Sequence, residues 1–108
     1  MKEIKAIVQP GKLARIKEEF GAMKQFPGMS VGKIEGCSYH EDERIPQSLR
    51  EALTDFSPKV RIEIVAPDDR VDEIVAIIHR CAHTGRTGDG VVWVTPVDEF
   101  HRLRYPRE

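Results

Sequence analysis

Pro58-Lys59-Val60-Arg61-Ile62-Glu63-Ile64-Val65-Ala66-Pro67-Asp68-Asp69 is the stretch that decides the fold of this 108-residue chain. Val60, Ile62 and Ile64 alternate with Arg61, Glu63 and Val65, the period of a strand with one face toward a core. Pro67-Asp68-Asp69 then opens a helix, because carboxylates suit the positive end of the helix dipole and can cap free amides. Val71, Ile74, Val75, Ile78 and Ala82 predict the apolar stripe of that helix. Arg80 and His83 fall near its negative end, and Gly85 is a natural stop.

Upstream, residues 2 to 9 alternate with Ile4, Ala6 and Val8 on one face, and Pro10-Gly11 closes this first strand. Leu13, Ile16, Phe20 and Met23 recur at helical spacing against Lys12, Arg15, Lys17 and Glu18, and Pro27-Gly28 ends that helix. Met29 to Cys37 is a second strand, weakened by Gly32 and Gly36. Downstream, Val91 to Val94 predicts a short buried strand, and a further extended piece runs through His101 to Arg104. The order strand, helix, strand, strand, helix, strand is that of an α+β, ferredoxin-like βαββαβ domain. It predicts an antiparallel sheet with two helices on one face, the whole of residues 1–108 forming a single domain. Ile7 and Val65 alternate away from the helices, which favours a sheet whose other face is buried against further copies of the chain.

Between Ser38 and Pro58 the periodicity dissolves into charged and polar residues, with Leu49, Ala52 and Leu53 compatible with one helical turn. A loop of this length inside a compact domain points to function or to conditional order. The 17 basic and 18 acidic side chains leave a formal charge of -1, which provides no general field for nucleic acid. Arg102, Arg104 and Arg107 form a local patch that suits a phosphate better than a duplex. Cys37 and Cys81 make no CxxC pair; their number allows a single disulfide, but two free thiols in a reducing cytosol is the favoured reading. The alternating start lacks the unbroken apolar stretch of a signal peptide, and no segment has the length to cross a membrane. The expectation is a cytoplasmic protein that reaches a membrane only through a partner.

Thr84-Gly85-Arg86-Thr87-Gly88-Asp89-Gly90 is the stretch richest in chemistry. Its glycines permit positive φ and close approach to a ligand, and successive amides in such a turn can cradle an anion. The same residues are also compatible with a helix C-cap followed by a hairpin turn. They match neither a Walker loop nor a Rossmann fingerprint. Arg102-Leu103-Arg104, if extended, puts two guanidinium groups on one face, a geometry that grips polyphosphate; a solvated basic tail is the plainer alternative. His79 and His83 are four apart, and Cys37 lies near His40. Such residues can ligate zinc or copper, yet the histidines also simply suit the helix dipole, and no four-ligand spacing occurs. No specific metal site is therefore expected. No Ser-His-Asp or Cys-His set stands out, and Asp89 reads as a turn former, so a binding regulator is favoured over an enzyme. The alternatives are a weak ATPase on the same scaffold and a metal-tolerance protein of similar fold.

Over nearly its whole length the chain resembles the PII signal-transduction family. The resemblance is carried by Met1-Lys2 to Pro10, Lys12-Leu13, Gly28-Met29-Ser30-Val31, Gly36, Asp55 to Val65, Pro67-Asp68-Asp69, Thr84 to Gly90 and Arg102-Leu103-Arg104. It implies a homotrimer with an adenine nucleotide (ADP, AMP or ATP) in each cleft between neighbouring subunits. It places Gly88, Asp89, Gly90, Arg102 and Arg104 on the phosphates and Ile7, Gly28, Met29, Ser30, Gly36, Glu63 and Val65 along the adenosine side, with Thr87 and Ser38 also counted among the nucleotide-binding residues. Residues 84–91 correspond to the family's B-loop and 101–108 to its C-terminal segment. Residues 38–58 correspond to the T-loop, which docks onto target proteins such as a transporter or an enzyme.

The chain departs from that pattern at four positions. Val91 stands where a basic residue usually follows Gly-Asp-Gly, and removing a charge-assisted phosphate contact costs roughly 1.5–3 kcal/mol. ATP should accordingly lose its advantage over ADP and AMP. His40 replaces the glutamine that engages Mg-ATP and 2-oxoglutarate, Ala52 the tyrosine that is uridylylated, and Ser38 a glycine at the base of the loop. The departures fall on regulatory positions, and the resemblance therefore implies a divergent member with a reassigned input or target.

Overall fold

The computed structural model of the chain describes residues 1–37, 46–49 and 55–107. Within them the elements run β1 (Lys2–Val8), α1 (Leu13–Gly21), β2 (Ser30–Gly36), β3 (Ser57–Ala66), α2 (Val71–Ala82) and β4 (Gly90–Pro96). Single 3-10 turns at Pro10–Lys12 and Asp68–Arg70 lead into the two helices. The four strands form one sheet in the order β2-β3-β1-β4, with every pairing antiparallel. This is the α+β, ferredoxin-like arrangement that the order of strands and helices predicts.

The alternation within each strand explains the layering. Ile4, Ala6 and Val8 of β1 and Val60, Ile62, Ile64 and Ala66 of β3 are buried. They pack against Ile16 and Phe20 of α1 and Ile74, Ile77, Ile78, Cys81 and Ala82 of α2. Both helices therefore cover one face of the sheet. Fully burying a side chain of this kind contributes roughly 1.5–3 kcal/mol, so these two rows define the core. The opposite face carries Lys5, Ile7, Arg61, Glu63, Val65 and Trp93, none of them buried.

Three local expectations are corrected. The first helix ends at Gly21 instead of reaching Pro27-Gly28. Beyond it Gln25 takes φ 53°, Phe26 folds back to stack on Phe20 with ring centroids 4.5 Å apart, and the Lys24 carbonyl accepts from Arg70 Nη2 at 2.7 Å. Those tertiary contacts outcompete another helical turn. The stripe of α2 is rotated toward Ile77 and Cys81, leaving Val71 and Val75 only partly buried. β4 is neither short nor buried: it spans seven residues at the sheet edge, with Val91 60% exposed and Trp93 39% exposed. An apolar run marks a strand but does not say what covers it.

Both cysteines are free, Cys37 exposed and Cys81 buried as a small apolar core group. Among the described residues no helix is long and apolar enough to cross a membrane. Leu49 donates to the Pro46 carbonyl at 3.0 Å, closing a single helical turn in the otherwise aperiodic segment.

Candidate functional site

The turn between α2 and β4 is built around one carboxylate. Asp89 Oδ2 accepts from the Thr84 amide at 2.7 Å and the Gly85 amide at 3.0 Å, while Oδ1 accepts from the Thr84 hydroxyl. The Thr84 hydroxyl in turn accepts from the Arg86 amide at 3.2 Å. These hydrogen bonds hold the Asp89 carboxyl down at about 2, the Thr84 hydroxyl first among them. Asp89 is thus a turn former, its oxygens already engaged.

Gly88 and Gly90 take φ 94° and 113°, conformations that side-chain-bearing residues rarely adopt. At Gly90 the backbone of β4 presses onto β1, so that a Cβ there would lie 1.9 Å from the Ile7 carbonyl oxygen. The turn is therefore held directly over the end of β1. The Gly88 carbonyl accepts from Gln9 Nε2 at 2.7 Å and from Lys59 Nζ at 3.3 Å. Neither Gln9 nor Lys59 stands out as a site residue in the sequence. Lys59 puts a cation beside the turn, and its stem lies against Gly36, where a Cβ would come within 3.1 Å. Val91 supplies no charge there, and the position of Lys59 beside the turn is revealed only by tertiary structure.

The sequence-predicted residues separate into two groups. Ile7, Gly36, Thr87, Gly88, Asp89 and Gly90 gather where β1 ends and β3 begins, since Val8 pairs with both Gly90 and Val60 and Gly36 pairs with Ser57. Ser30, Glu63 and Val65 lie at the other end of the sheet, where Ser30 pairs with Glu63 and Glu3 with Val65. Gly28, with φ 103°, and Met29 lead into that end of β2. The register sets Ile7 four residues along the strands from Val65, or about 13 Å at the usual rise. Ser38, like Tyr39, His40 and Ala52, lies outside the described residues.

At the second end, Arg102 and Arg104 line a cleft of ≈ 640 Å³ together with Val65, Phe26, Arg70 and Tyr105. The segment is not extended, as the sequence predicts, but turns: the Tyr105 amide donates to the Arg102 carbonyl at 3.2 Å. Arg102 Nη2 reaches the Pro27 carbonyl at 3.4 Å, and its guanidinium lies 5.1 Å from the Phe100 ring centre. Arg104 donates to the Tyr105 hydroxyl and lies 4.7 Å from that ring's centre. Turned rather than extended, the two arginines still border one cleft. Glu63 is paired with Arg61 at 2.9 Å on the uncovered sheet face.

His79 and His83 stack with ring centroids 5.2 Å apart. Among the described residues no group of three or more His, Cys, Asp or Glu side chains is placed to hold a metal ion.

The architecture defines a small ferredoxin-like protein with a glycine turn at one end of its sheet and an arginine-lined cleft at the other. The family model described as Nitrogen regulatory protein P-II matches residues 1–107. The chain is 39% identical over 108 residues to nitrogen regulatory protein P-II 1 of Escherichia coli (strain K12), covering all of this chain and 96% of that one. It is 38% identical over 104 residues to nitrogen regulatory protein P-II of Azospirillum brasilense, covering 96% of this chain and 92% of the relative. The chain belongs to the P-II family of nitrogen regulatory signal-transduction proteins.

Proposed function

We propose that the protein is a regulator that binds an adenine nucleotide in a cleft shared by two subunits of a homotrimer. Occupancy is then passed to a target protein through the segment 38–58. The observation that carries this reading is the division of the site. A glycine turn with Lys59 beside it stands at one end of the sheet, and the Arg102–Arg104 cleft stands at the other. Each end is half of the proposed nucleotide site: one offers a glycine turn of close approach and a cation to phosphates, the other guanidinium groups and apolar walls. Two copies arranged head to tail bring unlike ends together.

Asp89 supports a sensing role over hydrolysis, because its carboxylate is ionised and occupied within the turn. The target is a protein of another kind, for which a membrane transporter or a metabolic enzyme is the natural setting.

Titration calorimetry with ATP, ADP and AMP tests the reading. One nucleotide per chain is expected, with ADP or AMP binding at least as tightly as ATP, because Val91 offers no charge to a third phosphate. An ATP preference over ADP of roughly tenfold, or about 1.4 kcal/mol, would overturn the assigned preference. Indifference to all three nucleotides would overturn the function itself.

A further inference from the structure

The helix α2 ends on two imidazoles that nucleotide binding leaves unused. His79 and His83 are four residues apart, so they lie on one face of the helix one turn from each other. Both line a cavity of ≈ 110 Å³ with Val8, Ile78, Ala82 and Asp89. Asp89 Oδ2 lies 3.9 Å from His83 Nδ1, within ion-pair range but beyond hydrogen-bond distance, so the carboxylate faces that nitrogen while Nε2 lies on the other edge of the ring. A carboxylate on that side fixes the tautomer and orientation of a metal-binding histidine once a small turn of the ring brings the two within hydrogen-bond distance.

The electrostatics around the pair favour a cation. His83 is the C-cap of α2 and His79 belongs to its last turn, where the helix dipole is negative. Arg80, between them in sequence, is drawn to Glu19 at 2.7 Å. The remaining charged groups are Asp89 from the turn and Asp72, which shares a second groove with His79. β1 and β4 contribute only Val8, Gly90, Val91 and Val92 to the cavity.

We propose that His79 and His83 form a two-imidazole clamp for a divalent transition-metal ion that prefers nitrogen donors, with water completing the coordination shell and Asp89 orienting His83. The rings are nearly parallel, 11° between planes, so closing the clamp turns both about χ2 until one lone pair of each converges on the ion. The exposure of His83, 60%, leaves room for that turn. Cu2+, Ni2+ and Zn2+ suit imidazole ligands, whereas Mg2+ and Ca2+ do not. With two protein ligands instead of four the ion is exchangeable and does not hold the fold together. Because Asp89 also organises the Thr84–Gly90 turn, a bound ion bears on the nucleotide end of the sheet. That consequence rests on the function proposed above, but the metal site does not.

The test is a titration of the full, tag-free chain with NiCl2 alone, in the absence of nucleotide. One Ni2+ per chain is expected, with affinity falling at least roughly tenfold in His79→Asn and in His83→Asn, and by about tenfold in Asp89→Asn. With Cu2+ in place of Ni2+, electron paramagnetic resonance should show nitrogen coupling that the double histidine variant loses. Metal-free melting curves of the histidine variants should coincide with that of the parent chain. Unchanged Ni2+ affinity in either histidine variant overturns the proposal, as does a site that survives both but disappears in Cys37→Ser or His40→Ala.

Discussion

At Gly90 one missing side chain sets the geometry of the whole turn. The nearest atoms to a Cβ there are the carbonyl oxygen and carbon of Ile7, at 1.9 and 2.9 Å, and backbone cannot rotate aside as a side chain can. Gly90→Ala must therefore push β4 off β1 at the Val8–Gly90 pair, besides straining φ. A loss of at least about 2 kcal/mol is expected, read from urea unfolding, together with weakened nucleotide binding. Stability within a few tenths of the parent would refute the contact. Asp89 gives a second prediction at this scale. Its folded pKa, about 2, lies below the ordinary 3.8, so its contribution is present above pH ~4 and is lost as pH falls through about 2. Asp89→Asn should be less stable than the parent at neutral pH, and the two should converge on acidification toward pH ~2. Thermal melts across that range provide the check; a gap that stays constant would assign the loss to something other than the charge. Gly88 and Gly90 were legible in the sequence because positive φ restricts residue type, and Asp89 because short carboxylates form turns. Gln9 and Lys59 were not, because their role depends on Gly88, which lies 79 and 29 residues away along the chain.

Among the elements, those with a periodic face were readable, and their limits were not. β3 alternates cleanly over Val60, Ile62 and Ile64, and the structure buries those residues. α1 illustrates the limit: Leu13, Ile16 and Phe20 mark the helix, but its end is fixed by the Phe26–Phe20 stack and the Arg70–Lys24 hydrogen bond, both between separate segments. The Arg102–Arg104 segment illustrates another, since chain direction after β4 depends on docking against Pro27 and on the turn to Tyr105. The rotated stripe of α2 makes a measurable distinction. Ile74 is completely buried, whereas Val75, one residue on, is only partly covered. Ile74→Ala should cost about 2–5 kcal/mol through lost transfer energy and the cavity left behind. Val75→Ala should cost clearly less, since part of that side chain already meets solvent. Equal losses in denaturant titrations would contradict the orientation of α2, and with it the placement of His79 and His83.

For the whole molecule, the proposed nucleotide site has its two unlike halves at opposite ends of one chain, which cannot itself bring them together. The strand register separates them by about 13 Å between Ile7 and Val65, and β1 and β3 are rigidly paired along that length. The uncovered sheet face, with Ile7, Val65 and Trp93 outward, is the apolar surface that the proposed association between copies would cover. If the cleft joins the glycine end of one subunit to the arginine end of the next, defects at opposite ends must complement each other. Lys59→Glu should abolish nucleotide binding from one side, and Arg102→Glu with Arg104→Glu should abolish it from the other. In an equal mixture of the two variants, reassociated at random in a closed ring, about a quarter of the clefts combine two intact ends. Nucleotide stoichiometry should rise from nothing to about that fraction of the parent value, with light scattering confirming that both variants still assemble. A site contained within one subunit allows no such recovery, because every chain in the mixture carries a defect. Recovery thus reports the head-to-tail cleft directly, and an inert mixture of properly assembled variants would rule it out.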